Sequence, residues 1–97
     1  KIQGYRIELS EVEVVARRVV GVPAVAVVYK DRFGNDNIAL FVEDHGIPIE
    51  DVRELLSKNL PTYMCPSKVF ALKDFPLNSS GKLDKNALRV SAADGTA

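Results

Sequence analysis

Tyr5, Ile7 and Leu9 alternate with Arg6 and Glu8, the period of two that turns one face of a strand inward. Ile2 has the opposite parity, so the pattern places a bend at Gln3-Gly4. The period then changes. Val12, Val15, Ala16 and Val19 recur at helical spacing, and Ser10 with Glu13 forms a capping-box signature that predicts the helix start. Glu11 and Glu13 in the first turn and Arg17 and Arg18 in the last match the helix dipole. Gly21 and Pro23 end the segment.

Ala24 to Tyr29 is nearly all apolar and rich in β-branched residues, which predicts a central strand buried on both faces. Asp31 to Asp36 reads as a hairpin connection and Ile38 to Val42 as the antiparallel return strand. After the polar loop Glu43 to Gly46, Pro48 opens a second helix whose inward face is Val52, Leu55 and Leu56. Leu60-Pro61 closes it, and Val69 to Leu72 is a further strand. Pro76 to Gly81 is loop by composition, followed by a short helical turn from Asp84, its expected cap, to Leu88. Ser91 to Ala97 offers no large apolar side chain and reads as a flexible tail or linker, which divides the chain into a domain at 1–90 and a tail at 91–97. The fold class is α+β: a small opening hairpin, then a three-stranded sheet covered by helices. A chain that opens inside a strand pattern reads as a piece of something longer.

Composition narrows the functions available. Of 97 residues, 46% are hydrophobic and 27% charged, and thirteen Lys and Arg balance thirteen Asp and Glu. A net charge of zero argues against nucleic acid as partner, since such binders carry a clustered basic excess. No apolar run reaches the roughly 18–20 residues of a membrane span. A single cysteine, Cys65, excludes an internal disulfide, and with His45 as the sole histidine a Cys/His zinc site is implausible. The expectation is a reduced cytoplasmic module that binds no metal. A domain this small buries only about 60–65% of its unfolded surface, leaving little room to enclose a substrate.

Lys82 stands out on chemistry alone. It follows Ser79-Ser80-Gly81, whose small residues leave backbone amides open beside a cation suited to phosphate or carboxylate. A P-loop is excluded: Pro76 stands where its first glycine belongs, and Leu83 where Ser or Thr should follow the lysine. Composition by itself reads Lys82 as a solvated loop lysine. His45 reads as a surface residue, Cys65 as a half-buried small hydrophobe, Tyr63 and Met64 as packing, and Arg6 with Glu8 equally as a surface ion pair or as part of a site.

Three ordered stretches change that weighting. Lys1 to Glu13, Leu60-Pro61-Thr62-Tyr63-Met64-Cys65-Pro66 and Pro76-Leu77-Asn78-Ser79-Ser80-Gly81-Lys82-Leu83-Asp84-Lys85 resemble three late core motifs of amino-acid adenylation domains of nonribosomal peptide synthetases. These are members of the adenylate-forming superfamily, which includes acyl-CoA synthetases and luciferases. Gln3, Ser10, Ser80 and Lys85 depart from the usual residues there, and the lysine is kept. The resemblance implies a C-terminal lid subdomain beside a larger N-terminal adenylation subdomain that holds most of the ATP, its Mg2+ and the amino-acid substrate. It implies a catalytic role for Lys82, a substrate and nucleotide loop at Asn78, Ser80 and Gly81, and a second loop at Gln3, Gly4, Tyr5 and Arg6. That second loop would face the site after rotation about a hinge, shaping a tunnel for the phosphopantetheine thiol of a peptidyl carrier protein. The 97-residue chain by itself would then be inactive. Two other readings stay open: the lid of an acyl-CoA or aryl acid ligase, and a carrier-docking module without catalysis.

Overall fold

A computed structural model of the chain describes residues 7–94. The Gln3-Gly4 bend and residues 1–6 of the expected opening strand fall outside the described residues; Ile7 and Glu8 lie in neither helix nor strand, and Leu9 opens a helix, so no strand runs through residues 7–9. Helix α1 runs Leu9–Val20, strand β1 Ala24–Lys30, β2 Asp36–Glu43, helix α2 Ile49–Asn59, β3 Lys68–Leu72 and helix α3 Lys85–Asp94, with a 3₁₀ turn at Thr62–Met64.

The three strands lie in the order β1-β2-β3. β1 and β2 pair antiparallel through the hairpin, with Ala24 opposite Val42 and Lys30 opposite Asp36. β3 runs parallel to β2, Ala39 opposite Lys68, which is possible because α2 supplies the crossover that a parallel pair requires. β2 therefore takes the centre of the described sheet, and the expectation of a central β1 is corrected. β1 is nonetheless buried on both faces, because its alternate residues enter two different cores.

One core joins α1 and α2 to the sheet through Val12, Ala16, Ala24, Ala26, Ile38, Leu40, Val52, Leu56 and Val69. The other joins α3 to the opposite face through Val25, Val27, Tyr29, Ala39, Phe41, Leu88 and Ala92. The sheet is the middle of three layers, which explains why its strands read as unbroken apolar runs rather than as alternation.

Two sequence expectations about helix ends need correction. The capping box does not form: α1 begins at Leu9, flanked by Glu8, and Glu13 accepts the Ala26 N–H at 2.8 Å instead. Arg17, one turn on, donates to the Ala24 carbonyl at 2.9 Å. Together they occupy polar groups on the outer edge of β1, which would otherwise be free to pair with another chain. Sealing a strand edge offers Glu13 more than capping an exposed helix end. At the other end Gly21 stops α1 as expected, at φ 81° with its N–H on the Arg17 carbonyl.

The second correction concerns the tail. α3 continues to Asp94, and Leu88 and Ala92, four residues apart, are both fully buried against the sheet. Residues 91–94 are therefore helix rather than linker. A stripe of one leucine and one alanine suffices where the surface beneath it is flat. Asp84 caps this helix as the sequence suggested, its Oδ1 accepting the Ala87 N–H at 3.1 Å.

Lys68 fastens the far end of α3. Its Nζ donates to the Ala92 carbonyl at 2.7 Å and lies 4.8 Å from the centre of the Tyr29 ring. A cation near the C-terminus of a helix is also favoured by the dipole. Lys68→Met keeps the aliphatic stem and removes the charge, so it is expected to destabilise the fold by about 1–2 kcal/mol. Urea denaturation checks this, and an unchanged midpoint would mean that apolar packing alone holds α3.

Candidate functional site

Lys82 sits in a turn that rises from the sheet on the α3 side. Phe75 and Leu83, on either side of the turn, pack on the core beneath α3, and Leu77 pairs with Leu83 in an isolated antiparallel bridge. Between them the chain reverses. The Gly81 N–H donates to the Asn78 carbonyl at 2.9 Å, the Asn78 N–H to the Lys82 carbonyl at 2.7 Å, and the Asp84 N–H to the Pro76 carbonyl at 2.9 Å. Gly81 takes φ 79°, where a side chain would be strained. No other residue type makes this reversal as cheaply, which is the local reason for Ser-Gly before the lysine.

The turn presents Lys82 to solvent. Its ammonium has no ion-pair or hydrogen-bond partner among the described residues, although Asp84 lies two positions away. The 64% exposed Leu77 stands in the same turn. The Asn78 side chain is turned into the loop, where its Oδ1 accepts the Ser80 N–H at 2.9 Å and the Lys82 N–H at 3.1 Å. The structure thus brings Asn78, Ser80, Gly81 and Lys82 together in one reversal. Gln3, Gly4, Tyr5 and Arg6 lie outside the described residues.

Two open grooves among the described residues lie elsewhere. One of about 420 Å³ runs between α2 and β3, lined by Arg53, Leu56, Cys65 and Val69 among others. Another, of about 320 Å³, lies under Phe75 and Pro76 with Phe41 and Leu88 in its floor and wall. Neither is lined by Lys82. Cys65 is half-buried, and desolvation holds its thiol above its ordinary value of 9.0, which suits packing and opposes nucleophilic use. His45 is exposed as expected and meets Glu43 at 2.7 Å. Met64 is buried, whereas Tyr63 is 43% exposed and so only partly fits a packing role. Asp31 organises the β1–β2 hairpin, its Oδ1 taking the Asn35 and Phe33 N–H groups and its Oδ2 the Asn37 amide. These bonds, that from Asn35 first, lower its pKa below the ordinary value of 3.8.

The family model of the AMP-binding enzyme C-terminal domain matches residues 11–82, a span that closes on Lys82. The chain belongs to this family. Among curated relatives it is 41% identical over 90 residues to a plipastatin synthase of Bacillus subtilis, covering 91% of this chain and 4% of that protein. It is likewise 41% identical over 90 residues to gramicidin S synthase 1 of Brevibacillus brevis, covering 91% of this chain and 8% of the other. The chain therefore spans less than a tenth of these relatives' length.

Solved structures agree on the fold. A four-domain nonribosomal peptide synthetase, bound to AMP and glycine, matches with TM-score 0.82 and 34% identity over 90% of this chain and 7% of its own. A fatty acyl CoA synthetase of Mycobacterium tuberculosis matches with TM-score 0.78 and 25% identity over 97% of this chain and 19% of its own. The fold class read from the sequence is that of the C-terminal subdomain of adenylate-forming enzymes, which both solved structures share, and the sequence likeness is to nonribosomal peptide synthetases.

Three contributions escaped the sequence: the Glu13 and Arg17 seal on β1, the Lys68 anchor, and the inward turn of Asn78. The first could have been found from i,i+4 spacing beside an edge strand. The last is foreshadowed by Asn-Ser-Ser-Gly, a composition that favours a side chain bonding its own backbone two residues on.

Proposed function

We propose that this chain is the mobile lid of an ATP-dependent ligase that activates an amino acid as its adenylate and passes it to a carrier protein. The observation that carries the reading is a solvent-facing lysine, without an ion-pair or hydrogen-bond partner for its ammonium among the described residues, in a tightly bonded turn of a chain from a family of AMP-binding enzymes. A lysine meant only for solubility needs no such scaffold.

The chemistry explains what the cation is for. In adenylation a carboxylate oxygen attacks the α-phosphorus of ATP and pyrophosphate leaves, so two anions approach and charge grows on the α-phosphoryl oxygens. An ammonium held there, once water is excluded by closure against the larger subdomain, is worth several kcal/mol. The described residues supply that cation but no cluster of three or more carboxylate, Cys or His groups able to hold a metal. Mg2+ and most of the nucleotide are assigned to the larger subdomain, as the family resemblance implies. In the second step the phosphopantetheine thiol attacks the acyl carbonyl and AMP leaves. That step needs a narrow passage more than a cation, and rotation of the lid would exchange Lys82 for the segment Gln3, Gly4, Tyr5 and Arg6. Glycine there would let backbone approach the thiol arm. The amino-acid assignment is favoured by the 41% identity to peptide synthetases.

Gly4→Trp tests the division of labour in the two-subdomain enzyme. Carrier loading should fall while amino-acid-dependent pyrophosphate exchange survives. Equal loss of both would make Gly4 a bend required for folding and remove the thiol-tunnel role.

A further inference from the structure

Lys82 is held almost entirely by one residue. Its backbone N–H donates to Asn78 Oδ1 at 3.1 Å, and its carbonyl accepts the Asn78 N–H at 2.7 Å. Asn78 Oδ1 also accepts the Ser80 N–H at 2.9 Å, and the Asn78 carbonyl takes the Gly81 N–H at 2.9 Å. Both lone pairs of the side-chain oxygen are therefore used inside the turn. The oxygen of this side chain is thus committed to the turn, and its Nδ2 amide is the group left to donate.

The consequence for Lys82 is geometric. A lysine side chain has four rotatable bonds, and its ammonium can be aimed only if its own backbone is fixed. Here that backbone is gripped at both polar groups, and the Leu77–Leu83 bridge continues the same ladder toward the sheet. We propose that Asn78 is a positioning residue for Lys82: its side-chain oxygen acts through the lysine's backbone. The proposal rests on the reading of Lys82 as the adenylation cation, and it adds a requirement that this reading does not contain.

Two measurements test it. In this chain, amide hydrogen exchange followed by NMR should find the Ser80 and Lys82 amides protected. Asn78→Ala should abolish that protection while the amides of β2 keep theirs, and Asn78→Asp, which retains the acceptor, should preserve it. Unprotected amides in the unaltered chain would overturn the grip itself.

In the two-subdomain enzyme, Asn78→Ala should lower kcat for pyrophosphate exchange about 10–100-fold with the KM for ATP little changed, the scale expected of misplacement. Asn78→Asp should recover most of that loss. In a Lys82→Ala background the same Asn78→Ala change should cost less than about twofold more, because the group it positions is gone. Equal losses in both backgrounds, or a raised KM with kcat intact, would mean that Asn78 acts on its own and would overturn the proposal. A Lys82→Ala enzyme of full activity would sink the proposed function. A slow Lys82→Ala enzyme beside a fully active Asn78→Ala enzyme would sink only the positioning role.

Discussion

Lys82→Ala is expected to slow amino-acid-dependent pyrophosphate exchange by about 10²–10³-fold, equivalent to roughly 3–4 kcal/mol of transition-state stabilisation, the scale of a lost preorganised electrostatic donor. The same change should leave the stability of the chain within about 0.5 kcal/mol, because the side chain is exposed and nothing among the described residues depends on it. Lys82→Arg should recover activity only in part, since the guanidinium spreads its charge over a wider planar fork than a compact ammonium. Loss of activity together with a lower urea midpoint would instead assign Lys82 to the fold.

The largest effect on stability is expected at Phe41. It lies on the central strand, is 0% exposed, and stacks on Phe70 with ring centroids 5.1 Å apart. It also floors the groove beneath Phe75 and Leu88, so it joins β2, β3 and α3 in one contact set. Phe41→Ala removes a ring from a site that cannot collapse without moving α3, and the expected cost is about 3–5 kcal/mol. Small domains have only about 5–15 kcal/mol in total, so much of the reserve would go. Val14→Ala, at a position 56% exposed, should by comparison cost under about 0.5 kcal/mol. Urea denaturation of both variants reads the difference; similar midpoints would mean that the core under α3 is loosely packed.

Much of this fold was legible because local and global preferences agree. The β-branched run at Ala24 to Tyr29, the turn residues from Asp31 to Asp36 and the stop at Gly21 each favour one conformation whatever surrounds them. What the sequence withheld depends on neighbours distant in the chain. Strand centrality is decided by where β3 docks, and nothing in Ala24 to Tyr29 reports that β3 adds to β2. Ser10 and Glu13 form a sound capping signature, yet Glu13 is drawn to the Ala26 amide thirteen residues away. The last turns of α3 were missed because Ser91, Ala92 and Ala93 look like linker until a flat sheet face lies under Ala92.

The site divides in the same way. Lys82 and its Gly81 were visible from residue chemistry and from the family motif, since both concern what a short segment can do alone. The roles within the loop were not separable in sequence, because a motif records which residues occur together and not which of them face the ligand. Asn78 has a place in the motif as part of a substrate and nucleotide loop, and the structure adds that its Oδ1 holds the Ser80 and Lys82 amides of that loop.

The most direct test of the lid assignment compares two half-reactions of the Lys82→Ala two-subdomain enzyme: adenylate formation by pyrophosphate exchange, and thioester formation from preformed acyl-adenylate and carrier protein. A lid that swings Lys82 away after the first step predicts a loss of about 10²–10³-fold in adenylation with thioester formation nearly unchanged. Equal slowing of both would contradict alternation between two orientations, and full activity in both would return Lys82 to the solvated loop lysine that composition alone describes.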